Sequence, residues 1–244
     1  MKNKIRKFFS ELNFFVSSEK FLLTFLFIIL NNIYGAMALI FAWYSYIDSL
    51  FSFFTGSYYL LILQLFIFIS VNTTLSQFEK NGALIIRFKN HKEKVKELFR
   101  RVVRNTLFVF IVNLIVALLI LNLVRFYNIG VGIIDGYNIS NVLYLIFYMA
   151  RTCAIILLNA LVFLYIMKNT SKNIGIVLCL IYLILDFIPL RETLYIFFFE
   201  YFIILICGTF IEEVIRSVIF IGVFGVILKI FHEYTTKHMK KLVD

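Results

Sequence analysis

Long apolar runs alternate with short polar or basic stretches along the whole chain, and this pattern predicts membrane-spanning helices. Several runs exceed the roughly 18 apolar residues that cross a bilayer core. They are hydrophobic on every side, whereas the strands of a membrane barrel would alternate over about 10 residues. The pattern therefore predicts an all-α membrane protein that forms one transmembrane domain over residues 1–244.

Six apolar runs are bounded by polar or charged residues, and we expect each to cross the membrane once. The predicted spans lie near 21–45, 57–78, 105–125, 142–167, 173–189 and 212–231. Before the first span, apolar and basic residues recur at helical spacing. This spacing predicts an amphipathic elbow helix in the membrane interface over 1–20.

Lysine and arginine positions decide the orientation and the number of spans. With six spans, most cations outside the spans fall on one side, which the positive-inside tendency identifies as the cytoplasm. The segment 193–211 is apolar enough for a seventh crossing, but that crossing would export the basic C-terminal tail. We therefore expect 193–211 to form a re-entrant hairpin in the outer leaflet. The prediction is a multi-pass protein of the cell membrane with both termini in the cytoplasm.

Composition agrees with a membrane protein and excludes several kinds of site. The chain is 62% hydrophobic, whereas soluble domains are about 45–50% apolar. The net charge of +10 then reports orientation rather than a nucleic-acid partner. No phosphate-binding loop, zinc-type spacing or nucleophile motif occurs. We expect no catalytic residue, no metal site and no cofactor in this chain.

A basic stretch, RFKNHKEKVKELFRR at 87–101, lies between the second and third spans. Val95 and Leu98 lie on an apolar stripe, lysines lie on another face, and Glu97 and Arg101 make a favourable i, i+4 pair. These features predict a surface helix that ends before the chain re-enters the membrane near Asn105. The basic surface helix is explained either by attraction to anionic lipid or by docking of a soluble partner.

Ionisable residues within the spans form a predicted charged layer in the outer half of the membrane, estimated from the helical rise of about 1.5 Å per residue. The members are Arg151, Asp186, Glu212, Glu213 and Arg216. Arg151 has Asp186 or Glu213 as possible partners, and Arg216 has Asp186 or Glu212. The layer is explained either by structural ion pairs or by an outer gate, because charges inside a membrane are costly and are paired or functional.

Uncharged polar residues and histidines complete the candidate set. Four asparagines lie within the predicted spans: Asn31, Asn32, Asn113 and Asn159. Hydrogen bonds between helices explain them, and lining a polar path is the alternative. His232 and His238 lie in the C-terminal tail, where we expect a solvated interfacial role. EEVIR at 212–216 is similar to the EExxxR signature of CAAX-type intramembrane proteases, but its arginine comes one residue early.

The order of elements resembles the membrane subunit of type 2 ABC exporters, the ABC-2 permeases. The resemblance is to small permeases of Firmicutes that move or clear antimicrobial or toxin peptides, and it covers the whole chain. Its specific part is ALIIRFKNHKEKVKELF at 83–99, where an arginine–aromatic–lysine stretch precedes the coupling helix. The resemblance implies that the following residues contact the ATPase: Arg87, Phe88, Lys89, His91, Lys92, Glu93, Lys94, Val95, Lys96, Glu97 and Leu98.

The resemblance also implies a mechanism and a set of partners. Separate nucleotide-binding subunits would bind ATP and magnesium, and a second membrane subunit, identical or paralogous, would complete the path. The expected substrate is hydrophobic or amphipathic, with a peptide as first choice. Two other functions stay open: a non-transporting membrane anchor or immunity protein that binds its partner, and an ion- or proton-coupled carrier.

Overall fold

The computed structural model describes residues 19–39, 57–80, 91–124, 133–134, 139–187 and 209–238. Nearly all of them are helical. The six helices are α1 (Glu19–Leu39), α2 (Ser57–Lys80), α3 (His91–Val124), α4 (Asn141–Asn169), α5 (Lys172–Phe187) and α6 (Phe210–His238). The predicted elbow at 1–20 and hairpin at 193–211 lie almost entirely outside the described residues.

A β-hairpin with two residues in each strand precedes α4, and the sequence did not predict it. β1 (Ile133–Ile134) pairs antiparallel with β2 (Ile139–Ser140), with Ile134 opposite Ile139. The strands contact α4, which begins directly after them. The hairpin therefore fixes the entry of the chain into α4.

Apolar composition and length make three described helices able to cross a membrane. They are the stretches Glu93–Leu123, Val142–Asn169 and Phe210–Tyr234. Shorter apolar helices lie at Leu22–Tyr34 and Lys172–Ile184. The all-α membrane character predicted from the sequence is therefore supported, and the bounds of α4 and α5 fall close to the predicted spans.

The bundle is organised around α2 and α4. α4 packs against α2, α3, α5 and α6, while α2 packs against α1, α3, α4 and α5. One apolar core runs between these helices, with Ile67 of α2 and Phe163 of α4 fully buried within it. The rings of Phe68 and Phe163 meet edge to face with centroids 5.6 Å apart. Polar residues in the second half of α2, including Thr74, are buried in the bundle.

Side-chain contacts give the relative directions of the helices. α4 and α6 run parallel, because Arg151 meets Glu213 and, further along both helices, Tyr165 meets His232. α2 and α3 run antiparallel, because Thr74 meets Asn105 while Phe78 meets the earlier Arg101. A two-residue link turns α4 into the antiparallel α5. The chain therefore reverses direction between α2 and α3 and between α4 and α5.

The third helix differs from the prediction. We expected a surface helix over 87–101 and a separate span from about Asn105, but α3 is one helix of 34 residues. The segment between Phe99 and Asn105 contains no glycine or proline, so the backbone hydrogen bonds continue without interruption. The basic stretch is thus the first part of a long helix rather than a separate element.

Candidate functional site

Two regions collect the candidate residues: the basic beginning of α3, here called the basic end (residues 91–104), and a buried ion pair between α4 and α6. The basic end is amphipathic in the structure. Glu93, Lys96 and Arg100 are exposed, Lys94 and Val95 are half-buried, and Glu97 and Leu98 are buried. His91 and Lys92 lie in the helix but their side chains fall outside the described set, and Arg87, Phe88 and Lys89 lie outside the described residues. The exposed face of the basic end, formed by Glu93, Lys96 and Arg100, is therefore charged, as predicted.

Glu97 organises the cations of the basic end. Its carboxylate accepts from Arg100 Nη1 at 3.0 Å and from Arg101 Nε at 3.2 Å. The Glu97–Arg101 pair predicted from the i, i+4 spacing is thus confirmed. The Arg101 guanidinium also lies 5.8 Å from the ring centroid of Phe78 on α2, within range of a cation–π interaction. Arg101 therefore faces α2, while Arg100, at 65% side-chain exposure, faces outward.

Polar contacts join the basic end and its neighbours at this end of the bundle. Asn105 Nδ2 donates to Thr74 Oγ1 at 2.9 Å, which ties α3 to α2. Lys168 Nζ donates to Glu79 Oε1 at 2.7 Å, which ties α4 to α2. Each bond joins groups on different helices, so the ends of α2, α3 and α4 are held in register.

His232 connects the basic end to α4 and α6, a contact that the sequence reasoning missed. Its ring lies 5.8 Å from Phe99 of α3, centroid to centroid. Its Nδ1 shares a hydrogen bond of 2.8 Å with the Tyr165 hydroxyl of α4. The solvated role expected for His232 is therefore wrong, because this side chain packs between two other helices. A helix extending to His238 carries His232 inward, and the tail expected from sequence does not begin there.

The second region is a buried ion pair that joins α4 to the first turn of α6. Arg151 Nη1 donates to Glu213 Oε1, and the side chains of these residues are 2% and 0% exposed. The Tyr144 hydroxyl lies 3.1 Å from both carboxylate oxygens of Glu213. The Arg151 guanidinium lies 4.7 Å from the ring centroid of Tyr148. Both charges are thus paired and surrounded by aromatic side chains.

Local structure explains why a carboxylate is tolerated at position 213. Thr209 precedes α6, and its Oγ1 accepts from the backbone N–H of Glu212 at 3.3 Å, as expected of an N-cap residue. Glu213 therefore lies in the first turn, where the helix dipole favours negative charge. Thr209–Phe210–Ile211–Glu212 matches the T-x-x-E capping signature. That signature would have placed the start of α6 from the sequence alone.

Among the described side chains, the remaining members of the predicted charged layer form no ion pair with Arg151 or Glu213. Of the two partners considered for Arg151, the structure selects Glu213. Asp186 lies near the end of α5, and its side chain is outside the described set. Glu212 is exposed, Arg216 is half-buried, and among the described residues no ion pair involves Arg216.

The four asparagines mainly connect helices. Asn32 Nδ2 of α1 donates to Asn113 Oδ1 of α3 at 3.0 Å, and both residues are completely buried. The Tyr182 hydroxyl of α5 donates to Asn159 Oδ1 of α4 at 2.8 Å. Asn31 is buried, and its Nδ2 has no hydrogen-bond partner in the described part of the chain. Interhelical bonding, one of the two explanations for these residues, accounts for Asn32, Asn113 and Asn159.

The described residues offer no metal centre, because no group of three or more His, Cys, Asp or Glu side chains is close enough to hold an ion. Comparison with known proteins adds no assignment: no family model, no curated protein and no solved structure matches this chain. The basic end and the buried pair are therefore the features of the chain that indicate a function.

Proposed function

We propose that this chain is the membrane subunit of an ATP-driven exporter, and that a separate cytoplasmic ATPase docks on the basic end of α3. The observation that carries the proposal is the length and composition of α3. Its 34 residues span about 51 Å at 1.5 Å per residue, whereas a bilayer core is about 30 Å thick. The apolar part from Asn105 accounts for one bilayer thickness, so the basic end projects by about 20 Å.

The charge and continuity of α3 suit it to force transmission. The exposed row of Glu93, Lys96 and Arg100 provides charged groups for a soluble partner. Because α3 is one continuous helix, displacement of the basic end also displaces its membrane part. Phe99 contacts His232 of α6, and Asn105 contacts Thr74 of α2. Displacement of α3 therefore also reaches α6 and α2.

The proposed topology has six spans with both termini in the cytoplasm of a cell-membrane protein. The reversals of direction between α2 and α3 and between α4 and α5 support successive crossings. The cation distribution supports the cytoplasmic assignment of the basic end. In this arrangement the chain binds no nucleotide itself, and ATP with magnesium acts in the partner. A second membrane subunit, identical or paralogous, completes the path.

The proposed substrate is hydrophobic or amphipathic, with a peptide as first choice. The exposed faces of the helices carry large apolar side chains such as Leu119, Ile146 and Val218, and these favour apolar ligands. Much of the buried polar chemistry in the described helices joins one helix to another, as in the Asn32–Asn113 and Arg151–Glu213 pairs. Apolar contact therefore provides most of the affinity that this domain can offer.

Charge reversal at the basic end tests the proposal. We expect the variant Lys92→Glu/Lys94→Glu/Lys96→Glu to insert normally but to lose its co-purifying ATPase and substrate efflux by at least about tenfold. The control variant Lys172→Glu/Lys229→Glu reverses exposed lysines on α5 and α6 and should keep both. Subunits are identified after purification from native membranes.

Two results would count against the exporter. If no ATPase co-purifies with the unmodified chain, the docking role is lost. If a non-ATPase partner co-purifies and no substrate moves, the chain acts as a membrane anchor or immunity protein. Unchanged efflux in the triple variant would remove the basic end as the coupling element.

A further inference from the structure

The sixth helix is attached to the bundle along a narrow face. Half of the apolar stretch of α4 is buried by other helices, but only 12% of that of α6 is buried. α6 packs mainly on α4 and slightly on α3. Its outward side chains, such as Ile211, Val218 and Val223, are more than half exposed. Low burial of this kind is typical of elements that open or move easily.

Among the described residues, two polar contacts join α6 to α4, and they differ in burial. The first, here called the latch, consists of Arg151, Glu213 and Tyr144 and is buried. The second is the hydrogen bond between Tyr165 and His232. The two contacts are 14 residues apart on α4, or about 21 Å. Apolar packing lies between them, with Ile155 against Phe220 and Phe224.

The two ends differ in what holds them. At the His232 end, α6 contacts both Tyr165 of α4 and Phe99 of α3, so this end is held from two sides. At the latch end, α6 contacts α4 through the latch and through Phe210, which packs on Phe147 with ring centroids 5.2 Å apart. Loss of the latch therefore removes the main polar attachment between α4 and α6 that the described residues provide at that end.

We propose that α6 is a gate helix that swings away from α4 when the latch opens, with the Tyr165–His232 contact as its pivot. Packed interfaces switch between discrete arrangements rather than deforming gradually, and charges inside a membrane bundle are paired or functional. Opening would separate α4 from α6 at the latch end and expose the face of α4 around Tyr148 to the bilayer. The inference goes beyond the proposed function, because it holds whether or not an ATPase docks on α3.

Distances between spin labels in lipid nanodiscs test the gate. The reference chain has Cys153, Cys179 and Cys207 replaced by alanine. One label pair, at Ile146 and Ile211, reports the latch end, where these side chains are 62% and 70% exposed. A second pair, at the exposed Asn169 and Glu233, reports the pivot end. Each pair is measured in the reference chain and in the latch variants Arg151→Gln and Glu213→Gln.

We expect a single distance for both pairs in the reference chain. Each latch variant should add a second, longer distance at the latch end and leave the pivot end unchanged. The matched control is Lys168→Gln, which breaks the half-exposed pair of α4 with Glu79 and should change neither distance. Each of the two latch variants tests the gate by itself, so the second still gives the answer if the first does not fold.

Two outcomes would overturn the gate. An unchanged distance at the latch end in both variants would show that apolar packing alone holds α6. Equal lengthening at both ends would show that α6 separates as a whole, without a pivot.

Discussion

At the scale of single residues, burial decides which polar groups are paired. Arg151 and Glu213 are each almost fully buried, and a lone charge at such a depth would cost several kcal/mol. In the closed arrangement each charge therefore requires the other, and Tyr144 adds a hydrogen bond to the same carboxylate. Asn32 and Asn113 form a buried pair without charge. Leaving one of these amides unpaired costs less free energy than leaving a charge unpaired.

Breaking the buried ion pair should lower stability more than breaking a half-exposed one. We expect Arg151→Met to cost about 3 kcal/mol, because it leaves the Glu213 carboxylate buried without a counter-charge. The control Lys168→Met removes a pair whose acidic partner, Glu79, is 55% exposed, and should cost about 1 kcal/mol or less. Unfolding in detergent measures both. The double variant Arg151→Met/Glu213→Leu should regain most of the loss, and failure to do so would contradict the pairing argument.

The asparagine pair should show a small but measurable coupling. In a double-mutant cycle with alanine at Asn32 and Asn113, we expect an interaction of about 0.6 kcal/mol, typical of hydrogen bonds between membrane helices. A cycle with Asn32 and Asn159, which form separate bonds to Asn113 and Tyr182, provides the control. Its coupling should be close to zero, and equal coupling in the two cycles would count against a direct bond.

At the scale of elements, the continuity of α3 and the close approach of α4 and α5 determine which substitutions the helices tolerate. α3 joins a basic segment to an apolar one without a break, so the two move together. α4 and α5 approach closely at their two-residue link. A side-chain carbon added at Gly175 would lie 2.8 Å from Thr170 Oγ1 and 3.2 Å from Met167 Cα. Glycine is required there by the neighbouring helix rather than by backbone conformation.

A helix break within α3 should separate ATPase binding from transport. Arg104→Pro removes a backbone hydrogen bond and introduces a kink between the basic end and the membrane part. We expect this variant to keep its co-purifying ATPase but to lose efflux by at least about tenfold. Arg104→Ala removes the same side chain without the kink and should transport normally. Normal efflux in the proline variant would show that α3 need not be continuous.

Alanine at Gly175 should be destabilising even though alanine is the better helix former. Intrinsic propensity favours alanine by about 1 kcal/mol, but the contacts with Thr170 and Met167 oppose it. Thr170 cannot easily turn away, because its Oγ1 donates to the Ile166 carbonyl at 2.7 Å. At Gly222 nothing lies within 4 Å, so Gly222→Ala should be neutral or stabilising. Thermal unfolding of both variants checks this contrast, and a gain at Gly175 would contradict it.

At the scale of the whole molecule, helix directions and cation positions together predict sidedness. α2, α4 and α6 share one direction. α2 and α4 are parallel because Phe68 contacts Phe163 and, further along both helices, Glu79 contacts Lys168. The link between α4 and α5 then lies at the same end as the basic end of α3. The β-hairpin before α4 lies at the opposite end. The proposed cytoplasmic placement of the basic end would put the α4–α5 link in the cytoplasm and the β-hairpin on the outer side.

Cysteine labelling checks this sidedness. With the native cysteines replaced, we expect Ser171→Cys, in the exposed link between α4 and α5, to react with a membrane-impermeant reagent only after the cytoplasmic side is opened. Ser140→Cys, at the end of β2, should react in intact cells. The reverse pattern would invert the topology and would contradict docking of a cytoplasmic ATPase on α3.

The positions of most helices could be predicted from the sequence, because hydrophobic runs and their polar boundaries are local features. The predicted spans 142–167 and 173–189 agree closely with α4 and α5. One error was also local and avoidable, because the absence of a breaker between Phe99 and Asn105 indicates one helix. The T-x-x-E sequence at Thr209 likewise indicates where α6 begins.

The amino-acid sequence by itself determined the helical membrane class, the approximate helices and the concentration of cations at one end, since each depends on residue type and spacing along one chain. Only the tertiary structure decided that Arg151 pairs with Glu213, that Tyr144 joins them, and that His232 packs between Tyr165 and Phe99. These contacts depend on the rotation and relative height of helices far apart in sequence. Packing of the whole bundle sets both, and no local pattern records them.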